Sequence, residues 1–174
     1  MQEVGTLRNQ KPLTAFLAFL LALGLALAQT AQPLLLDLKA QKVVVKEGKE
    51  VLEEALAVVP GDTLEWRLVA ENRGKETLRQ VALVVPIPKE TFYLDGTATP
   101  LRLGNATIRP EFSFDGGKTF GLPPLKKRVR VVENGKEVEK EVEVDPKEYT
   151  HARWVLPELK PGQKVEVRLR TMVK

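Results

Sequence analysis

Residues 60–88 read PGDTLEWRLVAENRGKETLRQVALVVPIP. Pro60-Gly61-Asp62 is a turn: proline fixes φ, glycine accepts positive φ, and aspartate caps its own backbone. Alternation follows. Leu64, Trp66, Leu68 and Ala70 point one way, while Glu65, Arg67 and Glu71 point the other. A period of two with one polar face predicts a half-buried strand. Asn72-Arg73-Gly74-Lys75 interrupts the pattern with turn residues, and Val81, Leu83 and Val85 resume it. Pro86 and Pro88 cannot donate to a ladder, so pairing stops there or lies at a sheet edge. Two core strands joined by a polar turn set the fold class: an all-β sandwich.

The order Pro-Gly-Asp, strand with an aromatic, Asn-x-Gly, strand, Pro-x-Pro resembles the "conserved repeat" domain of bacterial surface proteins. Later blocks fit the same family: Thr91 to Ala98 (TFYLDGTA), the turn Asp115-Gly116-Gly117-Lys118-Thr119-Phe120, and Trp154-Val155-Leu156 followed by Leu159-Lys160-Pro161-Gly162. The blocks are scattered between Ala55 and Lys174. One position departs: Val85-Pro86 stands where many members carry an aspartate before the second proline. The resemblance implies an immunoglobulin-like fold and a wall, surface or adhesion role. It implies no catalytic residues, because the family is one of unknown function with no shared activity.

Outward from that centre, the N-terminus carries a second signal. Arg8 and Lys11 precede Leu13 to Ala28, LTAFLAFLLALGLALA, which is apolar and uncharged. Ala26-Leu27-Ala28 is a small-residue exit. These are the parts of a secretory signal peptide, so residues 1–28 are expected to be a helical leader cleaved before Gln29. An uncleaved anchor is the alternative, although the run is slightly short for a bilayer span. A lipoprotein is excluded at this site, since no cysteine exists to be acylated. The expected location is the periplasm, cell envelope or outer surface. Removing residues 1–28 takes away Glu3, Arg8 and Lys11, a loss of one net positive charge.

Residues 29–54 form an expected N-terminal strand or extension, and residues 55–174 the sandwich. Leu34 to Val45 has strand character at both ends. It reads as a first strand pairing at the sandwich edge, or as a strand that inserts into a neighbouring subunit and builds a fibre. Glu47 to Glu50 is expected as a turn; Glu50 to Val59 fits neither period cleanly and reads as a strand or a short helical turn, a strand at Ala55 to Val59 fitting an immunoglobulin-like sandwich better. Thr91 to Thr99 is a further expected strand, and residues 102–109 are expected as loop. Asn105-Ala106-Thr107 has the form of a glycosylation acceptor, which is discounted in a bacterial chain.

Ser113-Phe114-Asp115-Gly116-Gly117-Lys118-Thr119-Phe120 matches the Asp-box pattern, a folded hairpin in which serine and aspartate bond the turn backbone. The pattern is structural even in the sialidases, where it repeats; one copy excludes a propeller. A carbohydrate or calcium contact is the sharper alternative. Gly117-Lys118-Thr119 is not a phosphate loop, because Phe112 occupies the place of the earlier glycine.

Asn134-Gly135 is a strong signal for a two-residue hairpin. That turn sets Arg130 opposite Glu139, Arg128 opposite Glu141 and Lys126 opposite Glu143, with Val131 opposite Val138 on the other face. Each opposed charge pair contributes roughly 0.2–1 kcal/mol. A charged, wet ribbon is the result, and its charge discourages edge-to-edge sticking. Asp145-Pro146 is a turn. Tyr149 to Leu156 is a strand, with Tyr149, His151 and Arg153 on one face and Thr150, Ala152 and Trp154 on the other. Trp154 is expected in the core with Trp66, and His151 at the rim. Val165, Val167, Leu169 and Thr171 alternate with Glu166, Arg168 and Arg170 in a last strand.

The inventory restricts chemistry. The chain has no cysteine, one histidine (His151) and one serine (Ser113). Thiolate chemistry and histidine-rich metal sites are excluded, and a Ser–His pair would have to be Ser113 with His151, outside any nucleophile elbow. No catalytic, cofactor-binding or metal-binding residue is expected. The net charge of +4 is well mixed, a poor footprint for nucleic acid. Abundant Lys, Glu, Arg and Pro with few Asn, Ser and Met suggests a thermophilic source. The expected function is an exported, non-enzymatic interaction module for a protein or cell-wall partner; the alternative is a fibre subunit assembled through N-terminal strand exchange. A hydrolase is disfavoured by the inventory, and a sugar-binding platform by the presence of only two tryptophans.

Overall fold

A computed structural model describes residues 33–174; the expected leader lies outside the described residues. The strands are β1 (Leu34–Lys46), β2 (Lys49–Glu54), β3 (Thr63–Asn72), β4 (Leu78–Pro86), β5 (Thr91–Tyr93), β6 (Leu101–Leu103), β7 (Ala106–Ile108), β8 (Glu111–Ser113), β9 (Lys126–Glu133), β10 (Lys136–Glu143), β11 (His151–Leu159) and β12 (Lys164–Val173). A single 3-10 turn, Pro146–Glu148, precedes β11.

The architecture is an all-β sandwich. One sheet has the order β2-β1-β3-β12-β5 and the facing sheet the order β4-β11-β8. All ladders are antiparallel. The connections β3–β4 and β11–β12 cross between the sheets, so the central stretch supplies one strand to each. Leu68 and Ala70 from β3 and Val165, Val167 and Leu169 from β12 meet Val81, Leu83 and Val85 from β4 and Ala152, Trp154 and Leu156 from β11. Alternation on both sides produces this core, since every second residue of each strand points inward. Trp154 is fully buried and donates its Nε1–H to Thr99 O at 3.0 Å. Trp66 packs at the margin of the same core and donates to Thr171 Oγ1 at 2.9 Å.

The Asn-x-Gly turn acts as a clamp. Asn72 is fully buried. Its Nδ2 donates to Glu76 O and Leu159 O, both at 2.8 Å, and its Oδ1 accepts from Gly74 N at 2.9 Å. Its backbone exchanges bonds with Gln163 O and Gly162 N. One residue, through side chain and backbone together, thus ties the β3–β4 turn to both ends of the β11–β12 turn. A Cβ built on Gly74 would lie 2.7 Å from Pro33 Cβ, so only glycine lets the chain entering β1 approach.

The hairpin β9–β10 has the expected register: Arg130 opposite Glu139, Arg128 opposite Glu141, Lys126 opposite Glu143 and Val131 opposite Val138. Strand twist makes one ion pair diagonal, Lys126 Nζ to Glu141 Oε1 at 2.8 Å.

Four expectations are corrected. The strand expected at Ala55–Val59 is instead β2, at Lys49–Glu54: Glu47 and Gly48 both take positive φ (51° and 77°) and form a tight turn that folds β2 back onto β1. Residues 55–59 then carry the chain from the sheet edge back to β3, with Leu56, Val58 and Val59 exposed. The strand expected from Thr91 to Thr99 stops at Tyr93, where Asp95-Gly96 turns the chain. Residues 102–109 form a short hairpin, β6–β7, rather than loop. Tyr149 does not share the exposed face of His151. It precedes β11, is buried, and lies 4.8 Å from the Phe112 ring and 6.0 Å from Tyr93 between centroids.

Candidate functional site

The chemistry-bearing residues singled out from sequence converge on the Asp-box turn after β8. Ser113 is buried, and its Oγ donates to Asp115 Oδ1 at 2.7 Å while accepting from Gly117 N at 2.9 Å. Asp115 Oδ1 also accepts from Lys118 N and Thr119 N, both at 3.0 Å, and its Oδ2 from Thr119 Oγ1 at 2.6 Å. Bonds from the Thr119 hydroxyl and amide and from Ser113 hold the Asp115 carboxyl well below the usual carboxylate range. His151 sits opposite Ser113 in the β8–β11 register, yet its Nδ1 meets Thr150 Oγ1 at 3.1 Å. The serine hydroxyl is therefore committed to Asp115, and the two residues required for a nucleophile–base pair are adjacent without being hydrogen-bonded. The Asp-box is a folded turn here, as its pattern predicts.

Beside it, the Arg153 guanidinium lies 4.1 Å from the Phe120 centroid, and Arg153 Nε donates to Glu111 Oε2 at 2.9 Å. The recess under Phe120, lined by Phe114, Gly121 and Leu125, has a volume of about 210 Å³. That is below the roughly 300–1,000 Å³ typical of small-molecule pockets. A larger groove of about 670 Å³ crosses the outer face of the five-stranded sheet; Asp37, Lys39, Arg67, Lys164 and Glu166 line it with both signs of charge. Near it, Glu65 is buried between Arg67 Nη2 (3.2 Å) and Arg170 Nε (3.0 Å), and Arg170 also reaches Glu50 at 2.8 Å. Its bond to Glu50, with a further one to Glu65, holds the Arg170 guanidinium above its ordinary pKa against desolvation. Among the described residues, no group of three or more His, Cys, Asp or Glu side chains is placed to hold a metal ion.

A different feature stands out on the opposite side of the fold. Leu36 pairs with Ala70 and Leu38 with Leu68, so both leucines point toward the inner face of their sheet. Ala70 and Leu68 are buried, yet Leu36 is 50% exposed and Leu38 39%. The facing sheet does not reach them. β5 stacks against β8 through Tyr93 and Phe112, at 4.9 Å between centroids, and the β3–β4 turn brings β4 over β3. β1 and β2 therefore overhang beyond β4; the inner face is apolar from Leu34 to Ala40 and charged beyond it, at Lys42, Lys46, Lys49 and Glu53. β4 is itself the last strand of its sheet, so its far edge is unpaired among the described residues.

Ile87 N donates to Thr150 O at 2.8 Å in the register that pairs Pro86 with His151. Backbone groups alternate along an antiparallel ladder. Val81, Leu83 and Val85 consequently bond β11, while the amides and carbonyls of Ala82 and Val84 face the open edge. Pro86 offers that edge only its carbonyl, which is why a proline fits there. Sequence reasoning identified the Pro86 edge signal but not the overhang; the consecutive leucines 34–36, apolar on both faces of one strand, were its trace.

No family model, curated protein or solved structure matches the chain.

Proposed function

We propose that the chain is an exported, non-enzymatic interaction module of the cell envelope that binds another protein. The observation that carries this reading is the apolar overhang of β1, where Leu36 and Leu38 face inward on their sheet and are met by no facing strand. Contiguous exposed apolar surface on a folded domain marks an interaction site more often than chance exposure does. The leader-like residues 13–28 and the resemblance to the conserved repeat domain of bacterial surface proteins support an envelope location. The polar side chains of the Asp-box turn are engaged in holding that turn, and this supports a structural rather than a chemical role for them. Fibre assembly by exchange of the N-terminal strand asks β1 to leave its ladder with β3 from Leu34 to Val43 and with β2 from Gln41 to Lys46. A strand paired along its whole length, and on both edges at Gln41–Val43, is a poor donor, and the binding module is the better reading.

The test is photo-crosslinking in the cell of origin, with a photoreactive residue at Leu36 or, as a control, at Lys118 in the Asp-box turn. Adducts from position 36 in the envelope fraction, absent from position 118, are expected. Retention of the chain in the cytoplasm, or equal labelling from both positions, would overturn the proposal.

A further inference from the structure

The overhang and the open edge belong to one feature. Four sheet edges bound the two layers, and three are guarded. β2 carries Lys49, Glu50, Glu53 and Glu54 and covers β1 from Gln41 to Lys46, and where β1 is itself the edge, from Leu34 to Ala40, it carries Asp37 and Lys39; β5 has three residues and lies beside the 3-10 turn; β8 is short and bridged by Phe112 and Gly121. Charge, brevity and cover are the usual means by which a sheet edge is kept from pairing. β4 lacks all three between Val81 and Val85, a run of Val-Ala-Leu-Val-Val. The guards flank this run: Gln80 departs from strand geometry with φ 51°, and Pro86 ends donation. Between them lie unpaired backbone groups at Ala82 and Val84, and beneath the space beside them lies the leucine shelf of β1.

We propose that this space is a slot for one added β-strand, taken from an extended segment of another polypeptide with apolar residues at alternate positions. The inference rests on the interaction-module reading and specifies its site. The dimensions fit. A strand added beside β4 lies about 4.8 Å away and directly over β1, and the run Val81–Val85 spans roughly 17 Å. Alternate side chains of the guest meet Leu36 and Leu38, and its backbone bonds the amides and carbonyls of Ala82 and Val84. Main-chain bonds supply affinity and the apolar contacts supply register, as in other strand-addition complexes.

The same geometry excludes another occupant. A second copy pairing β4 against β4 would place its own β3, which lies under its β4, where β1 already stands. An isolated strand without a second layer behind it is what the overhang admits.

The test uses folded Gln29–Lys174 and a displayed library of random peptides of about twelve residues. Selected peptides are expected to show apolar residues at alternate positions. They should lose about tenfold or more in affinity on Val84→Pro, which removes an edge donor without touching the β11 ladder, and on Leu36→Glu, which charges the shelf. Arg130→Glu, on the remote hairpin, should leave affinity unchanged. Should Val84→Pro fail to fold, Leu36→Glu alone decides. The proposal is overturned by a library that returns no binder, by peptides that bind both variants as the parent does, or by a concentration-dependent dimer that Leu36→Glu dissolves, since the occupant would then be a second copy. Envelope adducts from position 36 that persist in Val84→Pro would sink the strand slot while leaving the interaction-module reading intact.

Discussion

At the scale of single residues, Asn72 carries the most structural weight for its size. Its side chain is buried and makes three bonds: two shape the local turn at Gly74 and Glu76, and the third, to Leu159 O, is itself buried and joins segments far apart in sequence. Asn72→Ala leaves the Leu159 and Glu76 carbonyls and the Gly74 amide short of partners, and each such loss costs about 1–3 kcal/mol before relaxation. Urea denaturation of Gln29–Lys174 should therefore show a loss of roughly 2–4 kcal/mol, with an unchanged m-value. Asp115 is a second case. Its folded carboxyl ionises more readily than an unfolded aspartate, so its contribution to the turn is complete above the ordinary aspartate range and is lost as pH falls through the lower folded value. In a carbon-detected titration, Asp115 should remain a carboxylate at about pH 3, where a model aspartate near 3.9 is largely protonated. A midpoint near 3.9 would mean that the Asp-box bonds are not formed in solution.

At the scale of elements, legibility in the sequence followed the locality of the determinants. β3, β4 and β12 were legible because each has a clean two-residue period, one wet face and turn residues leading into it. The β9–β10 register was legible to the residue, since Asn134-Gly135 fixes it locally and the opposed charges corroborate it. The Asp-box turn was equally legible, as all its bonds lie within Ser113–Thr119 apart from those to Thr150. Elements set by distant partners were not legible. β2 lacks a clean period because Val51 and Leu52 point to opposite faces of an edge strand, and its existence depends on the fold-back at Glu47-Gly48. Residues 55–59 are more apolar than β2 and still form no strand, because no neighbouring strand is available to pair with them. Tyr149 misled the phase argument by sitting just before β11, where the 3-10 turn resets the direction of side chains. The open β4 edge was half legible: Pro86 marked an edge, but only the strand order reveals that the edge is bare and overhung.

At the scale of the whole molecule, two unequal layers explain most of what is unusual. A five-stranded sheet faces a three-stranded one, and the mismatch exposes apolar side chains on an inner face rather than an outer one. Completing the smaller sheet with one strand would bury them and satisfy the β4 edge in the same step. An open β4 edge leaves an alternating pattern in the free protein that can be read without any partner. Hydrogen exchange on Gln29–Lys174, resolved by amide, should show Val81, Leu83 and Val85 protected by their bonds to β11, and Ala82 and Val84 exchanging much faster between them. Uniform protection across Val81–Val85 would mean that the edge is already occupied, by the chain itself or by a second copy, and that no open slot exists.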